Sequence, residues 1–198
     1  HTTVEHALPI TPLYKDVTTI FGRSATSYTP TLLVAYGGIF GDHWFYQHYD
    51  VWKDERLLRY TPRGVVDARA RIRSVMADDD DWHHIDVAAS AKKVQDAGGR
   101  VCLGGHGQLQ GLGPHWEIWA FVQGGMTPLE ALRVATLNPA ITLGMDGDLG
   151  SLQPGKLADF VVLDRNPLEK IENSTSISLV VKNGRTYTPD ELARRPGR

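Results

Sequence analysis

The stretch Val101-Cys-Leu-Gly-Gly-His106-Gly-Gln-Leu-Gln-Gly-Leu-Gly-Pro-His115-Trp-Glu-Ile-Trp119 concentrates the chemistry-bearing residues of the 198-residue chain. Two histidines, His106 and His115, stand among five glycines between Gly104 and Gly113. An imidazole binds a metal or accepts a proton near neutral pH. Gly105 and Gly107, on either side of His106, let the backbone approach a ligand closely or take a positive φ. We therefore take His106 as a candidate catalytic group, and His115, Gly105 and Gly107 as candidate pocket residues.

Those side chains need elements to position them. Val101, Cys102 and Leu103 read as a short buried strand, and Trp116, Ile118, Trp119, Ala120 and Val122 as a helix. Strand, Gly-rich loop and helix in that order is how α/β barrels place catalytic groups at the C-terminal ends of strands. Upstream, Thr2–His6 reads as a strand that ends on a further histidine. Thr11-Pro12 reads as a helix start leading to Leu13, Tyr14, Val17, Ile20 and Phe21, with Gly22 as the stop. Residues 25–35 read as strand-like toward their end. The segment 37–62 reads as an ordered irregular loop rich in aromatics, with His43 and His48 as pocket candidates. A helix is expected over 65–76. Asp78–Asp81 lack the alternation and glycine of a calcium loop and suit a solvated helix start instead. His83 and His84 read as surface residues of the helix that follows.

Beyond the His-bearing loop, Thr127-Pro-Leu-Glu130 is a capping box with proline at the first helical position. That helix runs to about 137, where Asn138-Pro139 breaks or restarts it. From Asp146 the texture changes to short strands and turns. Leu157–Leu163 is a strand, and Asn183-Gly184 marks a hairpin. Residues 191–198 read as a polar tail.

Composition excludes several classes. The net charge is −2 and no basic stripe marks a nucleic-acid partner. No apolar run reaches the roughly 20 residues of a membrane span. No leader is recognisable, although a chain opening on His1 rather than Met carries no weight there. The single cysteine, Cys102, rules out an internal disulfide framework and reads as a small buried hydrophobe. The sequence sets no compartment.

Three segments then carry a resemblance. They are Gly125-Met-Thr-Pro-Leu-Glu-Ala-Leu-Arg-Val-Ala-Thr-Leu-Asn-Pro-Ala140, Leu149-Gly-Ser-Leu-Gln-Pro-Gly-Lys-Leu-Ala-Asp-Phe-Val-Val-Leu-Asp164 and Val181-Lys-Asn-Gly-Arg185. They resemble the recurring signature of the amidohydrolase superfamily, metal-dependent hydrolases on a TIM-like barrel. Thr3–His6, Pro30–Leu32 and Val101–Gly107 are similar to strands six, seven and eight of the imidazolonepropionase-like branch. The run from His106 to Glu117 looks most like amidohydrolases fused to TolB-type propellers.

The resemblance implies an α/β fold: the last three βα units of a (β/α)8 barrel over residues 1–145, and a small C-terminal β appendix over 146–190. It implies a divalent metal, zinc above all, as one or two ions in a complete site. His6 falls on the strand-six metal ligand. His106 falls where the family carries an aspartate that binds metal and takes a proton from the attacking water, so it is expected as both ligand and base. Asp159 is implied to be structural. The first-strand His-x-His pair, the fourth-strand bridging ligand and the fifth-strand histidine have no counterpart. Zinc catalysis takes three protein ligands and an open position, and this chain offers one or two. The resemblance thus implies a small-molecule or peptide-like amide substrate and a missing barrel half, supplied in cis or in trans. A homo-oligomer is expected. The alternative is a non-catalytic, degenerate domain that acts as a scaffold or assembly subunit through its open strand edges.

Overall fold

A computed structural model describes residues 1–73 and 75–193. Three short parallel strands run in chain order: β1 (Thr3–Glu5), β2 (Ser27–Thr29) and β3 (Arg100–Val101). Thr3 pairs with Ser27, and Tyr28 with Val101. The Cys102 amide continues the ladder by donating to the Tyr28 carbonyl at 2.8 Å. Helix α1 (Lys15–Arg23) connects the first two strands. Between β2 and β3 lie α2 (Gly41–His48), α3 (Glu55–Tyr60), α4 (Arg63–Ala70) and α5 (His83–Asp96). After β3 come α6 (Gly113–Gln123), α7 (Pro128–Ala135) and α8 (Leu137–Thr142). A second, antiparallel sheet is formed by β4 (Phe160–Leu163), β5 (Ile177–Lys182) and β6 (Arg185–Tyr187), followed by α9 (Pro189–Ala193).

Strand β2 is buried throughout, as expected for the middle of three parallel strands. The core lies where α5 and α6 pack on each other and on the 3-10 turn that follows β2. Phe45 stacks on Trp116 with centroids 5.0 Å apart, and both rings are sealed from solvent. The contact adds to the burial of two large apolar groups, each such burial worth about 2–3 kcal/mol. At Gly124 a Cβ would come within 2.4 Å of the Ala88 backbone, so glycine is what lets the end of α6 touch α5.

Several expectations hold. Thr127 and Glu130 cap α7 reciprocally. Asn183 and Gly184 both take positive φ and turn β5 into β6. Asp159 accepts the Asn183 amide at 2.6 Å and pairs with Lys182, which is a structural role. Cys102 is buried beside Thr142, and burial raises its thiol pKa. Asp79, Asp80 and Asp81 form an exposed turn ahead of α5.

Others are corrected. Helix α1 starts at Lys15 rather than Thr11, because Leu13 is already buried and its amide is tied to Ser90 Oγ at 3.2 Å. The strand in 25–35 occupies Ser27–Thr29, not the far end. Thr31 turns into the left-handed region (φ 54°), and Leu32–Val34 tighten into a 3-10 turn. The segment 37–62 is largely helical, not irregular. Phe45 and Tyr46 anchor α2 in the core, and the Asp54 side chain caps α3 by accepting the Leu57 amide at 2.8 Å. The helix expected over 65–76 spans Arg63–Ala70, and Ile72 and Met76 beyond it are exposed. The polar tail begins inside α9, capped by Thr188 and Glu191; its remainder, 194–198, lies outside the described residues.

His84 is the largest correction. It is fully buried, with Nε2 3.1 Å from Gln123 Oε1 and Nδ1 without a hydrogen-bond partner. Burial lowers its pKa from 6.5 to about 4, with His83 and His48 acting in the same direction and Gln123 and Asp86 opposing. A histidine depressed on folding contributes stability that is present above pH 6.5 and lost as pH falls toward 4. Relative to His84→Asn, the parent should therefore lose stability across that window, approaching about 3 kcal/mol. Urea unfolding of both proteins at a series of pH values checks this, and a pH-independent difference would refute it.

Candidate active site

Three positive-φ residues mark the ends of the parallel strands. His6 (φ 69°) directly follows β1, Thr31 (φ 54°) lies two residues past β2, and His106 (φ 47°) heads the loop after β3. Non-glycine residues rarely adopt this conformation, and such residues cluster at functional sites. The turns bring His6 and His106 together, their ring centroids 5.2 Å apart and their planes at 73°. Tyr36 stacks on the other side of His6 at 5.6 Å. His6 Nδ1 is buried and has no hydrogen-bond partner among the described residues. An orphaned ring nitrogen on a histidine packed beside a second imidazole has a lone pair or proton open to a further partner.

Glu117 on α6 holds this arrangement from behind. Its carboxylate is fully buried and accepts the amides of Leu32 at 2.8 Å and Leu33 at 3.2 Å. The Gly104 amide bonds to it as well. One side chain therefore ties the turn after β2 to the turn after β3, two residues before His106. The two turns touch so closely that a Cβ on Gly104 would sit 2.4 Å from Thr31 Oγ1. Burial pushes the Glu117 pKa up to about 7, against the lowering effect of the three amides. Sequence reasoning passed over Glu117. The available signal was a lone carboxylate in the apolar run Trp116–Val122.

Asp42, also missed, stands near the first turn of α2 and is buried. Gln108 Nε2 donates to Asp42 Oδ2 at 3.1 Å, and Gln108 Oε1 lies 3.2 Å from His106 Nδ1. The Arg69 guanidinium donates to the Gln108 carbonyl. Burial raises the Asp42 pKa, opposed by His43, Gln108 and Arg69.

The other predicted residues disperse. Gly105 is buried and Gly107 exposed in the His106 loop. His115 bonds through Nδ1 to Ser174 Oγ at 3.0 Å, and burial lowers its pKa. It lines an open cleft of about 740 Å³ between α3, the start of α6, β5 and α9, whose walls include Arg56, Tyr60, Leu112 and Arg165. Neither His6, His106, Gly105 nor Gly107 lines that cleft, so the cleft and the histidine pair are separate features. His48 stacks on Trp44 and pairs with Asp79, and His43 sits beside Tyr46. A zinc site takes three protein ligands. Among the described residues no group of three or more His, Cys, Asp or Glu side chains is arranged to hold a metal. The His6–His106 pair therefore fits part of such a site, and the remaining donors have to come from elsewhere.

The profile of the amidohydrolase family matches residues 87–187, about half of the chain. The chain belongs to the amidohydrolase family. Among curated relatives, this amidohydrolase chain is 28% identical over 158 residues to the ochratoxinase of Aspergillus niger, covering 74% of the chain and 33% of the relative. It is 32% identical over 140 residues to the imidazolonepropionase of a Geobacillus strain, covering 67% of the chain and 31% of the relative. The amidohydrolase chain thus spans about a third or less of the length of the curated relatives it matches. It superimposes on the crystal structure of A. niger ochratoxinase with a TM-score of 0.61 at 22% identity, covering 98% of the chain and 40% of that structure. A Xaa-Pro dipeptidase crystallised with methionine gives 0.60 at 23% identity, covering 94% and 39%. These likenesses show the fold, an α/β arrangement of the TIM-barrel type.

If Glu117 is the clamp between the two strand ends, Glu117→Ala leaves three buried amides without an acceptor. The expected loss is about 3 kcal/mol or more, at roughly 1–3 kcal/mol for each unsatisfied group. Glu117→Gln keeps one acceptor oxygen and should lose less. Denaturant unfolding of both variants decides the matter; an alanine variant within about 1 kcal/mol of the parent would remove Glu117 from this role.

Proposed function

We propose that this chain is the C-terminal part of a metal-dependent amidohydrolase that cleaves a C–N bond of a small-molecule or peptide-like amide. In this reading β1, β2 and β3 are strands six, seven and eight of the barrel. Residues 1–145 form the partial barrel and 146–190 its β appendix. The observation that carries the reading is the convergence of His6 and His106 at two strand ends, with His6 Nδ1 left unpartnered. Support comes from the family, whose members generally use divalent metals, and from relatives named for hydrolytic reactions. Those relatives favour catalysis over the assembly-subunit reading.

His6 is assigned as a metal ligand, and His106 as a ligand or as the base that takes a proton from water. Held by these residues and further donors, a divalent metal, most simply zinc, would supply a water activated near neutral pH and a Lewis acid for the scissile carbonyl. The chain's own contribution is positional. Tyr36 fixes the His6 ring by stacking, and the Glu117 clamp fixes the loop that carries His106. An imidazole in place of the family's aspartate brings no negative charge, so the remaining donors must supply it. They would come from the barrel strands that this sequence lacks, in the same polypeptide or in a partner. Gly105 and Gly107, on either side of His106, are assigned to the wall on the substrate side, and His115, which lines the separate cleft, is not.

The test uses the protein in its complete cellular form, stripped of metal with a chelator and reloaded with zinc. Hydrolysis of a panel of N-acyl amino acids and cyclic amides should vanish on stripping and return on reloading. His6→Ala should lower both bound zinc and kcat/KM by on the order of 100-fold or more. Hydrolysis that persists through chelation, or that His6→Ala leaves intact, would overturn the proposal.

A further inference from the structure

The pair behind His106 has a fixed polarity. While Asp42 is ionised its Oδ2 only accepts, and the Gln108 group 3.1 Å away is then the amide NH2. That choice leaves Gln108 Oε1, an acceptor with no proton to give, facing His106 Nδ1 at 3.2 Å. A contact between two acceptors is unfavourable. Nδ1 must therefore carry the proton, and in the neutral ring Nε2 keeps the lone pair. The relay is anchored at both ends. Asp42 is held in the core at the start of α2, and the backbone of Gln108 is gripped by the Arg69 guanidinium through its carbonyl. Arg69 sits on α4, so two helices, α2 and α4, converge on one glutamine.

We infer that Asp42 and Gln108 are positioning residues that set the tautomer of His106, holding the proton on Nδ1 and presenting Nε2 as the metal-binding or proton-accepting atom. The inference rests on the site role given to His106 above, but the tautomer itself can be read without any catalysis. In water a free histidine side chain favours the opposite form, with the proton on Nε2. The relay works against that preference. Where the family places a carboxylate directly at the strand end, this chain places an imidazole and sets a carboxylate behind it, one glutamine away.

Long-range 1H–15N correlation spectra of the complete protein distinguish the two tautomers by the His106 ring nitrogen shifts. They are recorded above the pH at which the ring is protonated, before and after chelation; the chelated sample decides, because a metal on Nε2 would impose the same tautomer. The parent should show the Nδ1–H form. Gln108→Leu removes both hydrogen bonds from a partly exposed position and should return His106 to the Nε2–H form. Asp42→Ala should do the same by freeing the glutamine to turn over. If Asp42→Ala fails to fold, Gln108→Leu decides alone. In the loaded protein, Gln108→Leu should lower kcat by about 10–100-fold with KM little changed. An Nε2–H tautomer in the parent, or an Nδ1–H tautomer that survives Gln108→Leu, would overturn the inference. The predicted tautomer shifts without any amide hydrolysis would uphold the relay and sink only the hydrolase reading.

Discussion

The rest of the structure depends on one buried carboxylate. Glu117 has no solvent contact, and an uncompensated charge there would be very costly. Its tolerance comes from the Leu32, Leu33 and Gly104 amides, which the ends of two strands turn inward to meet. The dependence runs both ways. Those amides have left the sheet ladder, and without the carboxylate they would themselves be buried and unpaired. Helix α6 must therefore sit at one depth and one rotation against β2 and β3. The left-handed turn at Thr31 and the absence of a side chain at Gly104 follow from the same fit.

This clamp separates positioning from chemistry. The residues that converge at the strand ends are imidazoles, which can be neutral at physiological pH. Two buried carboxylates that support the strand-end turns, Glu117 and Asp42, are occupied with backbone amides and an amide side chain. Burial raises the pKa of both. A site built this way presents lone pairs rather than net negative charge. A cation held there would meet lone pairs but no neutralising charge from these residues.

The parallel strands, the capping box at Thr127, the Asn183-Gly184 turn and the His-bearing strand end were legible in the sequence because each rests on local chemistry. What was not legible depends on distance along the chain. Leu13 is tied to a serine 77 residues away, which delays the start of α1. His84 and Phe45 look like surface and loop residues until α2, α5 and α6 close over them. The histidine pair spans 100 positions and emerges only once two strand ends are brought together. Glu117 and Asp42 carried no positional signature, since a glutamate in an apolar helix and an aspartate near a helix start are each ordinary until their partners are known.

Helix α6 also explains how the two sheets belong to one body. Its Glu117 face grips the parallel strands, while His115 and Trp119 both bond Ser174, in the 3-10 turn that leads into β5. The helix that fixes the His106 loop is therefore the helix that fixes the appendix, and a shift in one would be felt by the other. The 740 Å³ cleft opens along this line of contact rather than over the histidine pair. The parallel sheet, in contrast, is finished only at its centre. Strand β2 is covered, but β1 and β3 have one neighbour each, and three strands cannot close a barrel that takes eight. Among the described residues β1 and β3 each leave one edge without a strand partner beside a well-packed helical layer.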